Sequence, residues 1–107
     1  MSEGLITLTS SNFEAEIAKG QILIDFWAPW CGPCRMQGKI LEELVPQLPA
    51  GARIGKINVD EEAALAARFN VRSIPTLVLM KEGKPVQQMV GVQTAVLLLD
   101  LLKKSVG

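Results

Sequence analysis

The chain contains no histidine and no tyrosine. Without histidine it lacks the commonest general base and the commonest zinc ligand. Acid–base chemistry must then run through carboxylate, lysine or cysteine. Cysteine occurs only at Cys31 and Cys34, so one chain cannot supply the four ligands of a structural zinc site, and no metal is expected. Neither sign of charge is in excess, with 11 basic and 11 acidic residues. That gives no electrostatic case for nucleic acid or an anionic membrane as partner. No apolar run approaches the roughly 20 residues of a membrane-spanning helix. The start, Met1-Ser2-Glu3-Gly4-Leu5, lacks the basic opening and apolar core of an export signal. The expected setting is a reducing, cytoplasmic one, and the expected state a monomer.

What is present suffices for a core. The 107 residues, 49% of them hydrophobic, predict a single domain over residues 1–107 that buries roughly 60–70% of the unfolded chain's surface. Leu5 to Leu8 is a short β-like run. Ser11 with Glu14 fits a capping box ahead of a helix ending near Gly20. Gln21 to Trp27 is apolar on both alternating faces, the pattern of a central strand covered on both sides. Cys34 to Leu48 carries Met36, Ile40, Leu41, Leu44 and Val45 at helical spacing, with Pro46 and Pro49 ending the helix. Ala52 to Val59 reads as a strand, and Asp60 as the cap of a helix that has Arg68 near its end. Thr76 to Met80, the Glu82-Gly83 turn and Pro85 to Val90 form a hairpin, Pro85 marking an edge. Thr94 caps a last helix ending in Lys103 and Lys104.

The order βαβαβαββα predicts an α/β fold: a mixed central sheet of about five strands flanked by about four helices. Its early strands are parallel, and the late hairpin adds an antiparallel edge.

The chemistry gathers at Cys31-Gly32-Pro33-Cys34, where a buried strand gives way to a helix. A thiol at a helix N-terminus feels the positive end of the dipole and unpaired N–H groups, which favour the nucleophilic thiolate. Two intervening residues let the second sulfur close a disulfide within one turn. Gly32 and Pro33 keep that turn compact, and proline is tolerated because early helix N–H groups have no partner. A structural staple is disfavoured, because so small a loop stabilises by only about 2 kcal/mol. The redox reading is preferred.

Asp25 interrupts the doubly apolar strand, so burial should raise its pKa. It is either a proton relay for one of the thiols or a structural carboxylate paired with Lys56 on the neighbouring strand. Trp30, Ile74 and Val92 are apolar residues in loops beside the cysteines, a hint of binding. Ile74-Pro75 is expected to be trans from the residues alone, since only about 5–6% of X–Pro bonds are cis. The apolar last helix reads as deeply buried, with partner binding as the lesser alternative.

The run Phe26-Trp27-Ala28-Pro29-Trp30-Cys31-Gly32-Pro33-Cys34 resembles the active-site signature of the thioredoxin family. The resemblance extends through Asp25, the Lys56–Asp60 strand, Arg72-Ser73-Ile74-Pro75-Thr76 and the Gly83 and Gly91 turns. It implies the thioredoxin fold and a thiol–disulfide oxidoreductase that reduces protein disulfides. Cys31 would be the exposed attacking thiolate and Cys34 the resolving thiol. Asp25 and Lys56 would serve proton transfer, and Trp27 would pack beneath the disulfide. Pro75 would be cis, and Trp30, Gly32, Ile74, Pro75, Gly91 and Val92 would form a target-binding surface. The resemblance further implies no bound cofactor: NADPH and FAD act only through a partner thioredoxin reductase. Lys39 stands where the family usually has a helix-kinking proline, which predicts a straighter helix. Two other readings remain: an isomerase or oxidase on the same fold, and a non-enzymatic binding or chaperone subunit.

Overall fold

The computed structural model describes residues 5–105, so the Met1–Gly4 start lies outside the described residues. The chain runs through β1 (Leu5–Thr7), α1 (Phe13–Ile17), β2 (Gln21–Trp27), α2 (Gly32–Leu44), β3 (Ala52–Asn58), α3 (Ala63–Arg68), β4 (Thr76–Lys81), β5 (Lys84–Val90) and α4 (Ala95–Ser105). A single 3₁₀ turn at Val45–Gln47, with Pro46 inside it, ends α2. The sequence order of elements is the one predicted.

The sheet order is β1-β3-β2-β4-β5. β1, β3 and β2 are parallel, while β4 runs antiparallel to both β2 and β5. The antiparallel part therefore begins at β4, one strand earlier than the hairpin alone implied. β2 is central, and its alternation divides the core. Ile22, Ile24 and Phe26 pack with Leu8, Phe13, Ile17 and Leu65 on the face covered by α1 and α3. Leu23 packs with Leu41, Leu44, Leu98 and Leu102 on the face covered by α2 and α4. Asp25 shares the parity of Leu23 and so belongs to the α2 face.

Four local expectations are corrected. No capping box forms at α1: the N-cap is Asn12, whose side chain instead accepts from the Thr9 N–H at 2.7 Å and donates to the Thr7 carbonyl. Glu14 pairs with Arg68. Asp60 does not cap α3, which starts after Glu62; the Glu62 carboxylate turns to the Ser10 N–H and hydroxyl. The buried side of α2 is Cys34, Gln37, Gly38, Leu41 and Leu44, with Met36 out in solvent. Finally, α4 is not deeply buried. Leu98 and Leu102 are inside, but Val96 is 81% exposed, because one helix against one sheet face can cover only one stripe. Thr94 does cap α4, accepting from the Leu97 N–H. Glu82 and Gly83 both take positive φ in the two-residue turn between β4 and β5.

Gly55 of β3 is required by close approach. A Cβ there would lie 2.5 Å from Leu8 Cδ1 and 3.1 Å from Ile22 Cδ1, and both neighbours are fully buried. Gly55→Ala is expected to lower stability by about 1–3 kcal/mol through overpacking, read as a fall in the urea midpoint with little change in slope.

Candidate active site

At the end of β2 the chain turns through Ala28, which is fully buried, and the exposed Pro29 and Trp30. The Cys31 N–H donates to the Ala28 carbonyl, and Arg35 reaches back to the Pro29 carbonyl at 3.0 Å. Cys31 then caps α2 in an extended conformation. Its sulfur accepts the otherwise unpartnered Cys34 N–H at 3.2 Å, and Pro33 occupies the first turn. Cys31 and Cys34 are joined as a disulfide with their Cα atoms 5.2 Å apart. The predicted placement of a sulfur at a helix start, closed by a second sulfur in one turn, is the one observed.

The disulfide is nearly covered. Cys31 keeps 5% and Cys34 3% of their surface, and Ala28, Trp27, Val59 and Ile74 pack around them. The exposed Cys31 of the sequence reading is thus a shielded one in the oxidised form, since each bonded sulfur covers the other. What sets the two apart is surroundings. Cys31 lies between exposed Trp30 and Gly32, with its sulfur 3.8 Å from the Ile74 carbonyl, whereas Cys34 sits within the helix.

The Ile74–Pro75 bond is cis, against the base rate and as the resemblance implied. The Pro75 carbonyl accepts the Gly91 N–H at 2.8 Å, which holds Gly91 beside Pro75. Trp30 is 67% exposed, and its indole N–H donates to Asp60 at 3.0 Å. Sequence reasoning missed that role for Asp60 because an acidic residue ahead of a helix is first read as a cap. A groove of about 350 Å³ runs beside the disulfide between Trp30, Val59, Val71 and Ile74.

On the other flank a cleft of about 480 Å³ reaches Cys34 between Trp27, Arg35, Lys39 and Lys56. Asp25 lies fully buried, and neither carboxylate oxygen has a hydrogen-bond partner among the described residues. Burial pushes its carboxyl up from 3.8 to about 7, against the opposing pull of Lys56. Lys56 is the register partner of Asp25 on β3, yet no ion pair within 4.0 Å joins them among the described residues. The Lys56 ammonium instead stands 4.8 Å from the Trp27 ring centroid. The structural-pair alternative for Asp25 is not what the side chains form. Lys39 lies in an α2 that runs without interruption from Gly32 to Leu44.

A family model described as thioredoxin matches residues 4–104. The chain belongs to the thioredoxin family. It is 45% identical over 100 residues to a thioredoxin of Staphylococcus saprophyticus, covering 94% of this chain and 96% of the relative. It is 46% identical over the same coverage to one of Staphylococcus haemolyticus. A solved structure of a mutant thioredoxin from Halobacterium salinarum superposes with a TM-score of 0.89 at 33% identity, covering 100% of this chain and 96% of that one. With the Cys31–Cys34 pair in place, this member of the family is a protein-disulfide reductase, a thiol–disulfide oxidoreductase. Its working redox group is that cysteine pair, and like its family it carries no bound cofactor. Among the described residues no cluster of metal-ligating side chains occurs, and no helix is long and apolar enough to cross a membrane.

Proposed function

We propose that Cys31 attacks and Cys34 resolves. The Cys31 thiolate attacks one sulfur of a target disulfide. A mixed disulfide forms and the other target sulfur leaves as thiolate, to be protonated from solvent. Cys34 loses its proton to Asp25 and attacks the Cys31 sulfur. The intrachain disulfide returns, the second target thiolate leaves, and the target has gained the electron pair lost by the two cysteines. The observation that carries this reading is the position of Cys31 as the cap of α2, where its sulfur already accepts a main-chain N–H.

A carboxyl raised to about 7 takes and returns a proton near neutral pH, which suits Asp25 to the second step. Lys56, with a charge facing the same cleft, biases that proton. Trp27 supports the disulfide from beneath, and Gly32 and Pro33 keep its ring small. Trp30, Ile74, Pro75, Gly91 and Val92 form the rim on which an extended target segment docks. Electrons return from a thioredoxin reductase that holds NADPH and FAD. The protein works as a single-domain monomer in the cytoplasm.

Insulin reduction tests the reading, first with dithiothreitol and then with NADPH and a thioredoxin reductase. Turnover is expected in both. Failure with dithiothreitol would overturn the direction of the chemistry, and failure only in the second would remove the reductase as partner. Trp30→Ala is expected to raise KM for insulin about fivefold with kcat near wild type, as for an exposed aromatic at a docking surface. An unchanged KM would take Trp30 out of the rim.

A further inference from the structure

Gln37 is a polar side chain with none of its surface exposed, on α2 three residues beyond Cys34. A buried amide is costly unless its groups are bonded, and an apolar residue here would simply extend the core of Leu41 and Leu44. The amide of Gln37 closes instead on the main chain of a single residue. The Gln93 N–H donates to Gln37 Oε1 at 2.7 Å, and Gln37 Nε2 donates to the Gln93 carbonyl at 3.1 Å. Two opposed bonds between one amide and one residue fix both distance and orientation, as a step of β-ladder does.

Gln93 ends the loop that begins at Gly91, between β5 and the Thr94 cap of α4. Its own side chain folds back, with Nε2 donating to the carbonyls of Gly91 at 3.1 Å and Val90 at 3.3 Å. Gly91, at φ +90°, donates to the Pro75 carbonyl. The three-residue segment is therefore held at its start to the Pro75 turn and at its end to the helix that carries the cysteines. Neither tie is a hydrogen bond to a sulfur.

We infer that Gln37 is a positioning residue for target docking: its amide sets the Gly91–Val92 part of the rim at a fixed height relative to the α2 cysteines. The inference rests on the docking role of that rim given above. It ties substrate affinity to a buried side chain whose hydrogen bonds go to the Gln93 main chain and not to a sulfur. A protein disulfide needs rim and sulfurs in register, whereas a small disulfide needs only the sulfurs.

Gln37→Leu keeps the volume and removes both bonds. It is expected to raise KM for insulin about tenfold, the effect of roughly 1.4 kcal/mol, with kcat and the reduction potential of the cysteine pair near wild type. KM for the small disulfide dithiobis(nitrobenzoate) should stay near wild type, and hydrogen exchange at the Gln93 amide should accelerate while the α2 amides keep their protection. A merely structural role would lower stability without splitting the two substrates. Gln37→Glu keeps the acceptor and loses the donor, so it should give an intermediate KM; if Gln37→Leu does not fold, it decides by the same split. Val92→Arg is the control for the rim. If it raises KM for insulin and the Gln37 variants do not, the inference is overturned and the rim stands. If Val92→Arg leaves KM unchanged, the rim reading falls and the inference falls with it.

Discussion

Cys31→Ser is expected to lower insulin reduction by at least about a thousandfold, the scale seen when a covalent nucleophile is removed. A serine hydroxyl is not ionised at neutral pH and forms no mixed disulfide, so the first step has no alternative route. Cys34 is not expected to take over, because it lies within α2, whereas Cys31 caps that helix with its sulfur beside the Ile74 carbonyl of the proposed rim. Cys34→Ser differs in kind. It keeps the attacking sulfur and loses the resolving one, so it should stall after one event as a covalent adduct with its target. That adduct would be visible on a non-reducing gel and would be released by dithiothreitol. If Cys31→Ser gave the adduct and Cys34→Ser were inert, the roles of the two thiols would be reversed.

Asp25→Asn is expected to stabilise the protein at alkaline pH by about 4 kcal/mol relative to its effect in acid. The sign follows from linkage. The folded carboxyl titrates at about 7 and its ordinary value is 3.8, so between these limits the folded state holds a proton that the unfolded state has released. Stability therefore falls as pH rises through that window. The penalty is absent below about pH 4 and complete above about pH 7–8, where a shift of this size corresponds to roughly 4 kcal/mol. Asparagine does not titrate, so the difference between the two stability curves isolates the carboxyl. The effect is this large because Asp25 is wholly buried and its oxygens have no hydrogen-bond partner among the described residues, and the value of about 7 already includes the opposing pull of Lys56. Urea unfolding of the oxidised proteins from pH 4 to pH 9 measures it. Parallel curves would show a carboxyl that titrates normally, and the proton relay proposed for it would lose its basis.

The cysteine site was legible in the sequence because its signals are local: a doubly apolar strand, a proline in the first turn of a helix, and two thiols at a spacing that one turn can close. Asp25 was legible for the opposite reason, as a charge in a run that has no polar face. The failures came where the deciding partner is distant in sequence. Asp60 could be read as a cap only until Trp30 was brought against it. Met36 and Gln37 were exchanged on α2 because hydropathy ranks methionine inside, while the backbone of Gln93, 56 residues away, offers the bonds that let an amide be buried. The direction of β4 was not in the helical periodicity of α3, which looks alike before a parallel or an antiparallel strand. The cis bond before Pro75 came from family resemblance and not from the residues, whose base rate favours trans.

The Glu82-Gly83 turn lies beyond the Lys81 end of β4, which is in register with Gln21, while Thr76 at the other end is in register with Phe26 next to the catalytic segment. Five residue steps of strand separate the two poles by about 17 Å, and a Cβ at Gly83 would meet open space. The turn is thus a natural place for a graft: an epitope, a fluorophore or an immobilisation tag inserted there would point away from incoming proteins. The molecule can be anchored by one pole and still present its reactive pole freely.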